Sequence, residues 1–394
     1  MKKDIVPPPK KGKTWLSKTI AWIHLWPSLI SGVLLVFICL TGTIIVYCDE
    51  IIDFASRDAR YVPEVKSTKL PIETLIANYK KAYPKRKNPS YIVAYKDPAR
   101  SVKMNSFEPK TGLSFVFMDP YTGKILKEDR TIHFFFITAH LHSMLLWHGV
   151  GDWIVDIGTI IFLIELITGL VLWWPVKWTK ATRDASFKVK WKASFKRLNY
   201  DLHNVVGFFG LSIAIILTLT GLIIAFEPLA SLTLTTFGGN SNHKAVQKNF
   251  PGFKSNQPSS PLGDALNKAF AKYPDKSQAQ LYTFTIDSAG FYTLVVANRI
   301  GLKSADSPEY FFVDRVTGQE VSQPQEAQWH EQIENGYWSL HMGTWLGPIG
   351  KFLTFVGGII CTSLPITGFL IWWNRRKKKP LTQRKTSSRA KPIA

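Results

Sequence analysis

The sequence predicts a membrane α-helical fold: four spans carrying two small α+β domains on one side, the whole arranged as an internal duplication. Three observations predict it. Four apolar runs lie near Trp26–Tyr47, Trp153–Trp174, Val205–Phe226 and Phe352–Trp373. A net charge of +21 is confined to three short segments. Motifs recur in the same order in the two halves of the 394-residue chain. A helix needs about 20 apolar residues to cross a bilayer; each run reaches that length with few charges and is far longer than a buried core strand.

The charge orients the spans. Residues 1–18 hold six Lys and one Asp, 177–197 hold eight Lys or Arg and one Asp, and 374–394 hold nine Lys or Arg and no acid. These segments carry the whole net charge, and they share one side of a four-span chain. Excess Lys and Arg beside spans marks the cytoplasmic side, so both termini are expected there. The basicity therefore reads as a topology signal toward membrane lipid, with no nucleic acid as partner. The expected order is a cytoplasmic tail (1–18), span 1 (19–48), an outer domain (49–151), span 2 (152–176), a basic cytoplasmic loop (177–200), span 3 (201–227), a second outer domain (228–349), span 4 (350–374) and a basic tail (375–394). The first run lacks a small-residue cleavage site and reads as a retained anchor. Cys39, Cys48 and Cys361 fall in or at the edge of spans, so the outer domains carry no disulfide framework.

The outer domains resemble each other. Leu70-Pro71 opens an amphipathic stretch closing in Lys81-Ala82-Tyr83-Pro84, and Pro261-Leu262 opens another closing in Ala271-Lys272-Tyr273-Pro274. Asp119-Pro120-Tyr121-Thr122-Gly123 and Asp314-Arg315-Val316-Thr317-Gly318 are both Asp-x-x-Thr-Gly steps after apolar strands. There the Asp side chain caps the backbone and Gly supplies a positive φ, which makes a turn and argues against catalysis by the Asp. Alternation over Tyr91–Tyr95, Leu113–Met118, Leu281–Ile286 and Phe291–Val296 predicts strands. Each domain thus reads as a helix followed by a few antiparallel strands.

Four histidines stand at matched offsets. His24 precedes Thr41-Gly42 by 17 residues and His203 precedes Thr220-Gly221 by the same 17. His142 precedes Thr168-Gly169 by 26 and His341 precedes Thr367-Gly368 by 26, each within a Leu-His, Ile-Thr-Gly, Trp-Trp series. One imidazole near each end of a span, twice over, points to two bis-histidine haem sites, a six-coordinate arrangement suited to electron transfer. His24 is expected to pair with His203 near the cytoplasmic surface. His142 and His341 are expected at or just beyond the opposite surface, since 26 residues span about 39 Å if the helix is continuous; Gly149, Gly151, Gly347 and Gly350 are candidate breaks or bends in that path. His140 and His148 are alternative outer ligands or substrate-side groups. Their counterparts, Ser339 and Gly347, leave them unmatched. His133, His330 and His243 carry no comparable spacing. Glu165, inside span 2 with Leu364 as its counterpart, is expected to be protonated or paired, relaying protons or tuning a haem potential. The Thr-Gly steps themselves read as devices for close helix packing.

The ordered set of motifs resembles the PepSY-associated membrane proteins from about residue 15 to residue 376, in particular iron-regulated members that act as ferric-siderophore reductases. The resemblance implies a bacterial inner-membrane protein with PepSY-like periplasmic domains and two b-type haems held by His24, His203, His142 and His341. It implies an oxidoreductase that passes electrons outward to a ferric siderophore and releases Fe(II). Some members carry a fused flavin or nicotinamide module. Here no Gly-rich dinucleotide fingerprint follows a strand and no C-x-x-C-H attaches haem covalently, so the electron donor is expected to be another molecule. Two other functions fit the same spans: a sensor or regulator acting through the outer domains, and a carrier of siderophore or iron.

Overall fold

The computed structural model describes residues 14–240, 250–254, 256–283 and 289–376. His243 and most of the two basic tails lie outside the described residues. Four helical stretches are long and apolar enough to cross a membrane: Trp15–Ile45, Val150–Trp173, Phe195–Ala225 and Thr344–Arg376. They start or end a few residues from the expected bounds. Span 1 is helix α1 (Trp15–Ile45), opened by the Thr14 hydroxyl, which accepts the Ser17 N–H. Span 2 is α5 (Val150–Trp173). Span 3 is α7 (Phe195–Asp201) and α8 (Gly207–Ala225), joined by a π turn over Leu202–Val206. Span 4 ends in α12 (Gly347–Arg376). Their outward side chains are apolar: Ile30 is 82% and Val33 86% exposed, as a hydrocarbon surround allows and water does not favour. Leu35, Phe162, Leu166, Ala214 and Cys361 pack at the centre of the bundle.

Outside the bundle, the strands of both connections join in one seven-stranded antiparallel sheet, ordered β4-β3-β2-β1-β5-β6-β7. The first connection contributes α3 (Ile72–Ala82), β1 (Tyr91–Tyr95), β2 (Val102–Glu108), β3 (Gly112–Met118) and β4 (Ile125–Asp129). The second contributes α10 (Leu262–Lys272), β5 (Gln278–Tyr282), β6 (Phe291–Ala297) and β7 (Glu309–Asp314). The seam is β1 against β5, running from Tyr91↔Tyr282 to Tyr95↔Gln278. Each of these is the first strand after its helix, so two exposed edges that would invite aggregation cover each other. Two separate small domains were the sequence expectation; alternation identifies strands but not their partners.

Period-two alternation sorts the two faces. Val116 and Met118 join Leu75, Tyr79, Leu266 and Ala269 beneath α3 and α10. Phe115 and Phe117 face the other way, against α2 (Cys48–Ala55), Ile132 and Phe135 of α4 (Thr131–Met144), and Met342 at the end of α11 (Gln325–Met342). Both Asp-x-x-Thr-Gly steps are turns. Asp119 Oδ1 accepts the Tyr121 N–H at 2.8 Å and Asp314 Oδ1 accepts the Thr317 N–H at 2.7 Å. Gly123 and Gly318 take φ of +68° and +66°.

An ion cluster ties sheet to bundle. Lys351, 4% exposed near the start of α12, donates to both Glu50 carboxylate oxygens at 2.8 and 2.7 Å. Arg299, from the loop after β6, meets Glu50 at 3.0 Å, and neighbouring Asp49 accepts the Leu302 N–H at 3.0 Å.

Candidate functional site: two facing histidine pairs

The four matched histidines come together in two pairs. The ring centres of His24 and His203 are 6.4 Å apart, at the end of the bundle far from the sheet. Those of His142 and His341 are 6.1 Å apart, at the end near the sheet. About 26 Å of α1 separates the His24 level from the Thr41 level.

His142 does not ride on a continuous span. Leu145, Leu146 and Gly149 all take positive φ, at 53°, 58° and 86°, and break the chain between α4 and α5. For leucine that conformation costs about 1 kcal/mol or more per residue. Gly343 and Gly347, at φ 75° and 56°, make the matching break between α11 and α12. The breaks let short helices carry both rings back against the spans, so His142 meets α1 at Ile38 and Thr41. Gly149 and Gly347 are two of the glycines that the sequence offers as breaks in these helices, whereas a leucine that turns left-handed leaves no mark in it.

Each ring is received by a Thr-Gly step on a different helix of its own half. His24 Nδ1 lies 3.1 Å from Thr168 Oγ1 and 3.2 Å from the Glu165 carbonyl oxygen. His142 Nδ1 lies 2.8 Å from the Ile38 carbonyl and 3.4 Å from Thr41 Oγ1. His203 Nδ1 is 2.9 Å from Thr367 Oγ1, with the Leu364 backbone beside the ring. His341 Nδ1 is 3.0 Å from Thr220 Oγ1, with the Leu217 backbone beside the ring. In every case the backbone group sits three residues before the threonine. The glycine beside it clears room for the ring edge. A Cβ placed on Gly42, Gly169, Gly221 or Gly368 would meet the Cε1 of His142, His24, His341 or His203 at 2.7, 3.1, 3.2 and 3.3 Å. The steps are close-packing devices, as expected, but what they pack against is a histidine ring.

With Nδ1 occupied in all four rings, Nε2 remains for a ligand. A metal–imidazole bond is about 2.0 Å and the nitrogen lies about 1.2 Å from its ring centre, so two imidazoles sharing one metal sit about 6.4 Å apart. The observed 6.4 and 6.1 Å match that spacing. Among the described residues no group of three or more His, Cys, Asp or Glu could hold a metal ion. Two facing imidazoles, each with Nε2 left for a ligand, are a donor set that would fit haem.

The other candidates stand apart. His140 Nδ1 bonds the Phe136 carbonyl one turn back at 2.8 Å and its ring lies on Phe136. His148 is 89% exposed at its side chain and pairs with Asp152 at the start of α5. Glu165 is buried, with its carboxylate accepting from Ser31 Oγ at 3.4 Å while its backbone carbonyl serves His24. His330 bonds the Asn240 carbonyl and pairs with Glu334, away from the histidine pairs.

The fold and the site together define a class: a four-span membrane protein with a soluble sheet domain and a facing pair of histidines toward each end of its bundle. The chain belongs to the family described as PepSY-associated TM region, whose model matches residues 21–375. No curated protein matches the sequence.

Proposed function

We propose that the chain is a transmembrane haem oxidoreductase of the bacterial inner membrane. In this reading it passes electrons across the bilayer to a ferric siderophore in the periplasm and releases Fe(II). The observation that carries the proposal is the spacing of two imidazole pairs, 6.4 and 6.1 Å between ring centres, toward opposite ends of one bundle. His24 and His203 would hold one b-type haem, His142 and His341 the other. When bound, haem would supply a one-electron iron couple, and holding it by two histidines would suit electron transfer.

The chain's own residues do the rest. The Thr-Gly steps orient the rings, and the packing of Leu35, Phe162 and Ala214 between the two levels keeps water out of the bundle. One electron suffices for the substrate, because Fe(II) is held less tightly than Fe(III) by hard oxygen ligands; no nucleophile or general base is required. The basic segments favour both termini on the cytoplasmic side, an orientation in which the sheet and the His142/His341 pair would face the periplasm. The two halves, matched in sockets, turns and helix–strand order, read as an internal duplication.

The test is an absorption spectrum of detergent-purified protein from haem-sufficient cells, oxidised and dithionite-reduced, with haem quantified by pyridine haemochrome. Two low-spin b-type haems per chain, falling to one in His203→Ala, are expected. A colourless protein overturns the proposal and favours a sensor acting through the sheet domain.

A further inference from the structure

The hydrogen bonding around the four threonines has a direction. Each hydroxyl donates into its own helix, to the carbonyl four residues back: Thr41 to Phe37 at 2.8 Å, Thr168 to Ile164 at 2.7 Å, Thr220 to Ile216 at 2.7 Å and Thr367 to Ser363 at 2.8 Å. With its only proton committed, the hydroxyl can only accept from the histidine. At His24 and His142 the second contact of Nδ1 is a backbone carbonyl, which has no proton to give. These partners therefore require that Nδ1 carry the hydrogen and that Nε2 present its lone pair.

We propose that Thr41, Thr168, Thr220 and Thr367 are positioning residues that lock each histidine in the Nδ1–H tautomer and set the reduction potential of the metal it binds. The part about potential rests on the haem reading above; the part about the tautomer does not. An acceptor drawing on Nδ1–H makes the imidazole a more basic ligand, and a more basic ligand favours the ferric over the ferrous state. Removing the acceptor raises the potential. A ten-fold loss of ferric preference appears as about 59 mV in a one-electron couple.

The sockets are not equal, and the inequality gives the proposal a ranking. Thr367, Thr220 and Thr168 stand 2.9, 3.0 and 3.1 Å from their rings. Thr41 stands at 3.4 Å, where the Ile38 carbonyl at 2.8 Å is the main acceptor. Thr→Val keeps the shape and removes the hydroxyl; Thr→Ser keeps the hydroxyl. Potentiometric titration of each variant should show Thr367→Val and Thr168→Val raising one couple, that of the His24/His203 site. Thr220→Val should raise the other, and Thr41→Val should do least. Serine should restore each value.

Nitrogen-15 NMR of the imidazoles in haem-free protein reads the tautomer directly. It should show a protonated Nδ1 and a bare Nε2 at all four rings, with exchange between tautomers appearing at His203 in Thr367→Val and at His341 in Thr220→Val, and not at His142 in Thr41→Val, where the Ile38 carbonyl still accepts from Nδ1. Unshifted potentials in haem-loaded valine variants overturn the inference, as do wild-type rings protonated at Nε2. A valine variant that loses haem and is not rescued by serine also counts against it. A wild-type protein that binds no haem defeats the proposed function alone and leaves the NMR result to decide the tautomer.

Discussion

Replacing the socket glycines with alanine should remove haem in a graded order set by the space each ring leaves. Carbon atoms pack at about 3.5–4.0 Å. A Cβ on Gly42 would stand 2.7 Å from His142 Cε1, so the ring must retreat by about 1 Å. The Nδ1 bond to the Ile38 carbonyl is 2.8 Å; lengthened to roughly 3.8 Å it is no longer a hydrogen bond. Nε2 moves by a similar distance, whereas metal–ligand bonds tolerate only about 0.2 Å. Overpacking of this kind costs about 1–3 kcal/mol, which lowers occupancy by roughly five- to 150-fold. Gly169 and Gly221 leave 3.1 and 3.2 Å, and Gly368 leaves 3.3 Å. At Gly368 a give of a few tenths of an ångström suffices, and the variant should keep most of its haem. Pyridine haemochrome on the four purified variants checks the order, with thermal unfolding in detergent confirming that each still folds. Two full haems in Gly42→Ala, or the greatest loss in Gly368→Ala, would refute the socket geometry.

Four further outcomes follow from the same contacts. Glu165→Gln should retain both haems, because His24 is held by the Glu165 backbone carbonyl and not by its carboxylate; loss of the His24/His203 haem would show that the side chain holds the site. His140→Ala and His148→Ala should likewise leave haem content at wild-type level, since neither ring faces another histidine. Glu50→Ala strands Lys351 and Arg299 and should cost up to about 3 kcal/mol, less than a fully buried pair because Glu50 is 36% exposed; the double variant with Lys351→Met should unfold at a higher temperature than Glu50→Ala alone. At the start of α11, burial raises the Glu331 carboxyl to about 7 and the Glu334 carboxylate raises the His330 imidazole. For each group the folded state holds its proton to higher pH than the unfolded state, so stability falls as pH rises from 4.5 through 7 for Glu331 and from 6.5 upward for His330. Hydrogen exchange over residues 325–335, corrected for intrinsic rate, should quicken across that window in the wild type and less in Glu331→Gln.

Some of this molecule is visible in its sequence and some is not, for physical reasons. Lipid imposes about 20 apolar residues per span, so the four spans can be read directly. Asp119 and Asp314 announce their turns because a capping carboxylate and a positive-φ glycine are local requirements. The pairing of His24 with His203, and of His142 with His341, follows from depth along helices of fixed rise. The β1–β5 seam escapes, since Tyr91 and Tyr282 are 191 positions apart and alternation names no partner. The matched offset of 17 residues marks His24 and Thr41 as a unit, yet they serve different sites: Thr41 receives His142, and His24 is received by Thr168. A one-dimensional spacing shows that both residues matter without showing which helix crosses which.

That crossing divides the labour in a useful way. Every socket is built within one half of the chain, whereas each histidine pair is drawn from both halves. A ring held by its own half keeps its orientation however the halves shift, so the one variable left is the spacing across the interface. Near the sheet that spacing is braced twice. The β1–β5 ladder binds the halves above His142 and His341, and Glu50 of the first half clamps Lys351 and Arg299 of the second. Far from the sheet, His24 and His203 rely on the packing of α1, α5, α8 and α12. There the π turn over Leu202–Val206 sets the angle at which His203 leaves its helix. The Trp173 ring of the first half also stacks on Phe208 of the second at 3.8 Å. A ligand bridging both rings of a pair would add a further tie between halves, and its binding energy would contribute to the stability of the assembled bundle.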